Sequence, residues 1–433
     1  MAKEKMEQKE LSQEYWAYVK RQFRKNKRAL FSAYFVSFMA FIAIFADFLA
    51  NDKPIACKYK GEVYFPIIKS YGVSFGVSKW NEELKNVNWT DLEYDWVVRA
   101  LIPYSPTTID LFNSQYASPF GSQSIKSIRW KHWLGTESLG RDILSCLIHG
   151  TRIAFTVGIF SMLIASFLGI TLGALAGYFG DERLKISRAS FIMVLLGCIL
   201  GWFEAFSVRS YTLSAAFEIS YFQGFVQLFL SVFIFIAIVF LFLMLGKIFK
   251  IIPFFRKKTS IPIDIIVQRI IEILLSIPRM FLLIALVAIV KEPSINMVML
   301  IIGFTYWTEI ARFIRAELLR IRSLEYVEAA EALGFSSWRI LFKHAIPNAL
   351  SPVLITIAFG IASAVLVEAT LSFLGVGVPA EMLTWGKLLS EARTAPSAWW
   401  LAIFPGFAIF ITVTLFNLIG EGLTDALDPR QKK

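Results

Sequence analysis

With 433 residues, 56% of them hydrophobic and 18% charged, the chain is too apolar for a soluble globule, where about 45–50% apolar and about 25% charged residues are usual. The net charge of +11 does not indicate nucleic acid, because the basic residues form short clusters beside apolar runs and no single basic face, a distribution that positive-inside topology explains. Cys57, Cys146 and Cys198 show no CxxC spacing and keep no company with His132, His149 or His344, so metal and redox-motif readings have no support. The three read as structurally incidental, the alternative being that Cys57 and Cys146 meet on the outer side.

Residues 1–28 are basic and lack an apolar core, which argues for a cytoplasmic lead-in and against a cleavable signal peptide. Tyr15, Trp16, Val19 and Phe23 have helical spacing suited to the membrane surface. Residues 29–50 form the first predicted span, near the ~20 residues that cross ~30 Å of hydrocarbon, and the basic flank before it places the N-terminus inside. Residues 51–150, aromatic and punctuated by Pro, Gly and Asn, then lie outside. Residues 152–178 return inward and carry Gly169, Gly173 and Gly177, two successive small-xxx-small steps that let another helix approach closely.

Residues 186–203 and 225–249 read as a hairpin with Glu204, Arg209 and Glu218 in its outer loop. Arg183, Lys185 and Arg188 precede it, and Lys247, Lys250, Arg256, Lys257 and Lys258 follow it, so both basic clusters fall inside. Residues 265–290 go out with Pro278 expected to kink them in mid-membrane. Residues 297–314 come back to Arg312, Arg315, Arg320 and Arg322. Residues 350–374 go out, a loop with Trp385, Pro396, Trp399 and Trp400 is expected at the outer interface, and residues 401–418 return. The predicted fold is an all-α polytopic membrane protein of about eight transmembrane helices with both termini cytoplasmic, including the tail 426–433.

The polar interruption at residues 315–348 is the stretch best suited to a partner. Glu325, Glu328 and Glu331 recur every third residue, with Tyr326, Ala329, Ala330 and Leu333 on the other side, which predicts a short amphipathic helix. Ser323 is the candidate N-cap, Gly334 supplies a left-handed residue, and Ser336 caps a second helix expected to run to Ile346 before Pro347. The pattern Glu328-Ala329-Ala330, Gly334, Ile346-Pro347-Asn348 resembles the cytoplasmic "EAA" coupling loop of ABC-importer permeases, which docks into a cleft on the ATPase subunit. HWLGTESLGRDILSCLIHGTRIAFTVG (132–158), LSFLGVGVP (371–379), Trp385-Gly386 and GLTDALDPR (422–430) are similar to the dipeptide and oligopeptide permeases. ANDKP (50–54) and YKGEVYFPIIKSY (59–71) resemble the branch of that family that takes up microcin C and oligopeptides.

The resemblance implies a bacterial inner-membrane permease that pairs with a second permease, ABC ATPase subunits and an extracytoplasmic binding protein. ATP and Mg would sit on the partner subunits and no cofactor on this chain; membrane lipid is the remaining partner. Residues 151–425 correspond to the permease domain. The departure is an extra hydrophobic hairpin at about 181–262, inserted after the Gly-Tyr-Phe-Gly corner at 177–180, where the family has a short loop within a core of about six helices. Two added spans preserve the inside placement of the coupling loop.

The sequence has no GxxxxGK[ST], no HExxH and no Ser/His/Asp constellation, so a non-catalytic subunit is expected. Glu368 lies inside an apolar span, where a charge must face protein or water; it reads as a pathway or gate residue, together with Pro278, or as a hydrogen-bonded interhelical contact. Glu309 and Thr308 invite the bland reading, with Glu309 snorkelling or bonded to Arg312. Glu137, Arg141 and Asp142 are expected to pair across a turn and brace the face where a binding protein docks. The Trp- and Tyr-rich segment 51–150 suits either an interfacial shelf or a contact with that protein. A secondary transporter or channel, the alternative, would call for charges spread through several spans or broken helices in paired repeats.

Overall fold

The computed structural model describes residues 17–85, 87–219, 221–249, 256–289, 294–379 and 381–427. The expectations for Tyr15, Trp16, Lys250 and the tail beyond residue 427 fall outside these. In chain order the principal helices are α1 (Lys27–Ile44), α2 (Ile143–Ala174), α3 (Arg188–Trp202), α4 (Tyr221–Ile248), α5 (Ile263–Ser276), α6 (Arg279–Ile289), α7 (Ile295–Ile321), α8 (Glu325–Ala332), α9 (Ile346–Phe373), α10 (Trp385–Ala392) and α11 (Trp400–Leu427), with shorter ones between them. Short strands β1 (Ala56–Tyr59), β2 (Glu62–Tyr64), β3 (Trp96–Val98), β4 (Lys185–Ser187) and β5 (Lys258–Ser260) complete the frame. Among the described residues 7 helices are long and apolar enough to cross a membrane, or up to 8 when the bent pair α5 and α6 counts as one span. The helical polytopic architecture is therefore as the sequence predicts.

The chain divides into two compact units, Met1–Asp52 with Arg99–Tyr178 and Ile266–Lys433, and Lys53–Val98 with Phe179–Ile265. Residues 51–150, expected outside, are thus split, residues 99–150 belonging to the unit that holds the helix bundle. In the first unit α2 is the central element. Asp142 accepts a hydrogen bond from the Ser145 N–H at 2.7 Å and starts the helix at Ile143, well before the expected residue 152. Its glycine stripe faces α7: a Cβ added to Gly169 would lie 2.7 Å from Ile310 Cβ, and one on Gly173 would lie 2.5 Å from the Ala311 carbonyl oxygen. No larger side chain fits between these backbones, which is the packing the small-xxx-small steps predict.

Around this pair, Met39, Phe155, Val365, Trp385 and Phe416 bring α1, α2, α9, α10 and α11 into one buried cluster. Here the structure corrects the expected outer loop. Trp385 and Trp400 are buried while Trp399 is exposed; the Trp385 indole donates to the Leu147 carbonyl at 3.1 Å and that of Trp400 to the Thr136 carbonyl at 3.0 Å. Amphipathic α10 folds back into the bundle, and Gly386 lies directly under the Ala369 carbonyl. The first span also ends earlier than expected, at Ile44. Beyond it Asp47 pairs with Arg152 at 2.7 Å, tying α1 to α2.

In the second unit, β2-β1-β3 form an antiparallel sheet over a small core of Cys57, Leu84 and Trp89. Cys146 belongs to a different core, with Ile143 and Leu388. Both cysteines are free, so the pairing considered from the sequence does not form. The unit also holds the inserted hairpin. Gly197 and Gly201 of α3 receive Phe242 and Phe235 of α4, and Arg209, at its turn, donates to Gln227 at 2.6 Å and Ser231 at 3.1 Å. The turn is itself mostly helical, with a π turn at Phe203–Ser207 followed by a helix at Ser210–Ile219. At the base, β4 and β5 pair antiparallel, Ser187 opposite Lys258.

Candidate functional site

A loop able to dock a partner would need a rigid turn, a small exposed face and a firm seat, and residues 323–348 provide each. Leu324, not Ser323, is the N-cap of α8 and makes no side-chain cap; the Ser323 hydroxyl instead donates back to the Arg320 carbonyl at 2.9 Å, because the preceding α7 still offers unpaired carbonyls there. The C-terminus closes as a Schellman motif, with the Gly334 N–H on the Glu331 carbonyl at 2.9 Å and the Phe335 N–H on the Ala330 carbonyl at 3.1 Å. Gly334 takes φ +79°, the left-handed value that a side chain disfavours.

Ser336 caps the next turn, accepting from the Arg339 N–H at 3.4 Å. The second helix does not stop at Ile346. Ser337–Ile340 runs through a π turn at Leu341–Ala345 straight into α9, making one continuous helix of 37 residues. The wider i→i+5 turn accommodates the carbonyl that Pro347 cannot bond, so the proline does not end the helix.

The seat is made by Val327, which is fully buried, by the Tyr178 hydroxyl on Glu331 at 3.3 Å, and by the Asn348 amide on the Tyr326 hydroxyl at 3.3 Å. The last contact joins the two ends of the sequence pattern. Glu328, Ala329, Gly334 and Pro347 are exposed and Ala330 and Ile346 half-buried. The apolar side of α8 is not turned into the bundle: Leu333 is 76% exposed, and Phe335, Trp338 and Phe342 are exposed beyond it.

Pro278 marks more than a kink. Between Ser276 and Arg279 the chain turns by 90°, and Arg279, opening α6, bonds Glu309 of α7 at 2.5 Å and stands 4.2 Å over the Tyr306 ring. Glu309 is therefore bound to Arg279 and not to Arg312, as the sequence had suggested, while Thr308 is buried and donates to the Thr305 carbonyl. Glu368 is enclosed at 1% exposure and accepts from the Ser372 hydroxyl, one turn on in the same helix α9, at 2.7 Å, so this hydrogen bond lies within its own helix.

On the other end of the bundle, Glu137 and Arg141 do pair across their turn, the carboxylate accepting the Arg141 N–H at 3.1 Å and standing 3.8 Å from its guanidinium. Glu137 and Asp142 are nearly inaccessible, so they brace this layer from within and present no carboxylate to a docking protein. Three residues of the layer were not singled out from the sequence. His132, fully buried, is held between Asp142 at 2.9 Å and Asp110 at 3.2 Å and stacks on Tyr104 at 4.3 Å. Glu391 of α10 is close enough to Glu137 for that carboxylate to raise its pKa. Asp142 before an apolar run is a legible cap signal; nothing local links Asp110 or Glu391 to it. Among the described residues no His, Cys, Asp and Glu converge as metal ligands do.

Comparison with known proteins agrees with these motifs. Residues 254–433 match the family model described as "Binding-protein-dependent transport system inner membrane component", and residues 14–60 match the "N-terminal TM domain of oligopeptide transport permease C". The dipeptide transport system permease protein DppC of Alkalihalophilus pseudofirmus is 30% identical over 82% of this chain and 91% of its own length. The glutathione transport system permease protein GsiD of Pectobacterium atrosepticum is 32% identical over 70% and 73%. The inner membrane ABC transporter permease protein YejE of Escherichia coli is 27% identical over 97% of this chain and 98% of its own.

Proposed function

The chain belongs to the binding-protein-dependent ABC-importer permeases of the dipeptide and oligopeptide family, and from that premise we propose that it forms one half of a peptide pathway across a bacterial inner membrane, beside a second permease. It is a non-catalytic membrane subunit. ATP and Mg are bound by separate ATPase subunits, which seat on residues 323–348, and a binding protein delivers the solute to the opposite face.

The observation that carries this reading is the unpartnered face of α8. Small Ala329 and half-buried Ala330, with exposed Leu333 and the tight turn at Gly334, form a knob that a groove on another protein can take in, with desolvated apolar contacts contributing most of the binding. Glu328 adds an exposed charge worth only about 0–1 kcal/mol. Closure of the ATPase pair would then move α9 directly, because the loop runs without a break into that span.

Ala329→Trp tests it. Ala329 is exposed, so the change leaves the chain's own packing intact and blocks only what must approach. Normal membrane abundance is expected, with loss of ATPase copurification and of ATP-driven peptide uptake in proteoliposomes. Wild-type uptake by this variant would remove the coupling role from the loop.

A further inference from the structure

Arg279 and Glu309 occupy a place where charge is costly. With a rise of 1.5 Å per residue, Glu309 lies about 21 Å along α7 from Ile295, about two-thirds of the way across a bilayer core of ~30 Å. Arg279 is the first residue beyond the 90° break between α5 and α6. Irregular backbone at membrane depth survives only when covered by protein or when it lines a water-filled cavity. The pair is not covered by its own chain, since the side chains are 30% and 41% exposed.

Beside it opens a cleft of ≈ 680 Å³ between α5 and α7, where Glu309, Arg312 and Arg315 stand among the apolar Ile271, Leu275 and Phe313. The volume is that of a small-molecule site. A surface turned to lipid tails would carry none of these groups, and a structural contact would carry a balanced, sealed pair. This wall carries both signs and is open.

We propose that the broken span is an intramembrane solute site, in which the carboxylate of a zwitterionic solute such as a peptide C-terminus replaces Glu309 on the Arg279 guanidinium. The planar fork of Arg279 suits bidentate carboxylate recognition, and Tyr306 fixes its plane. Separating the ion pair in a low-dielectric site leaves two uncompensated charges unless the solute brings its own. Displaced Glu309 then faces the cationic wall of Arg312 and Arg315. A solute without a free carboxylate cannot make the exchange and passes slowly. The inference rests on the importer reading but can fail separately from it.

The test uses the complete importer in proteoliposomes, comparing ATP-driven uptake of one tripeptide with that of its C-terminal amide. Arg279→Gln is expected to slow the free acid by roughly tenfold or more, as loss of a charge-assisted hydrogen bond does, while the amide changes little, and Arg279→Lys restores part of the difference. Equal losses for acid and amide, or none, would overturn the site. A second readout does not need peptide transport. In a Cys198→Ser background, Leu275→Cys, which lines the cleft, reacts with a membrane-impermeant methanethiosulfonate, and the tripeptide slows the reaction. No reaction there means lipid faces the cleft and the proposal falls. If the wild-type complex moves no peptide, yet Leu275→Cys reacts and another amino-carboxylate solute protects it, the peptide assignment fails and the solute site stands.

Discussion

At the scale of single residues the layer around His132 gathers groups whose pKa values are shifted in opposite directions. Burial alone would lower the pKa of His132, but the hydrogen bonds and charges of Asp142 and then Asp110 outweigh it and hold the imidazole above its ordinary value. A carboxylate at each ring nitrogen favours the doubly protonated ring, in which both nitrogens can donate. Burial pushes Asp110 up, yet Asn113, His132 and the Phe112 N–H together leave its carboxyl below the ordinary range. Glu391 goes the other way: burial, then the charge of Glu137, push it up to about 7. The signs follow from proton linkage. The His132 contribution is complete below the unfolded value of ~6.5 and is lost as pH rises through the raised folded value. The Asp110 contribution is present above ~3.9 and is lost as pH falls through the depressed one. Glu391 binds its proton more tightly when folded, so its contribution fades between ~4.3 and about 7. All three place the greatest stability of this layer in mild acid, near pH 4–5. Thermal unfolding of the purified chain should therefore show a midpoint that declines from pH 5 to pH 9. Glu391→Gln should flatten the part below neutrality and His132→Gln the part above it; an unchanged slope in both variants would show that these groups do not titrate as their surroundings dictate.

At the scale of elements, the inserted hairpin is a separable part. β4 and β5 hold its ends together, with the Ile261 N–H on the Leu184 carbonyl at 2.9 Å and the Arg188 N–H on the Lys257 carbonyl at 3.1 Å, so the chain leaves and rejoins the permease core at one point. Ser187 and Lys258 are paired residues of an antiparallel ladder, a geometry that a two-residue Asn-Gly turn can close. Replacing residues 188–257 by such a turn should leave the remaining spans inserted with their sides unchanged, read by protease protection, and should keep the ATPase bound. Loss of the whole chain from the membrane would show instead that the hairpin is needed to assemble it. What was legible in the sequence at this scale was what local rules set: the glycine stripe of α2, the left-handed turn at Gly334 and the cap at Ser336. Non-local choices were not. Trp385 and Trp400 in a loop look interfacial until Leu147 and Thr136 offer carbonyls to bond them, and Pro347 looks like a stop until a π turn precedes it. Asp110 and His132 come together through a fold of the loop that no period encodes.

For the whole molecule the decisive count is whether α5 and α6 make one crossing. Each is short, at 14 and 11 residues, or about 21 Å and 16 Å against ~30 Å of hydrocarbon. α5 buries Val267 and Ile271 while Arg269 and Glu272 are exposed and paired, the pattern of a helix lying at an interface, with α6 turning upward from Pro278. If the pair crosses once, the basic cluster at Arg256, Lys257 and Lys258 and the arginines ending α7 lie on the same side, as the positive-inside rule requires. If the pair instead re-enters and leaves by the side it came from, α7 carries residues 323–348 to the opposite face, away from any nucleotide. Single cysteines in a Cys198→Ser background separate the two. Lys257→Cys and Ser336→Cys should react with an impermeant maleimide only from the cytoplasmic side, and Glu93→Cys and Thr394→Cys, both exposed, only from outside. Labelling of positions 257 and 336 from opposite sides would make α5 and α6 a re-entrant loop, and with it the docking role of α8 and the inside placement of the C-terminus would both be lost, since α9 and α11 preserve parity from there to the end of the chain.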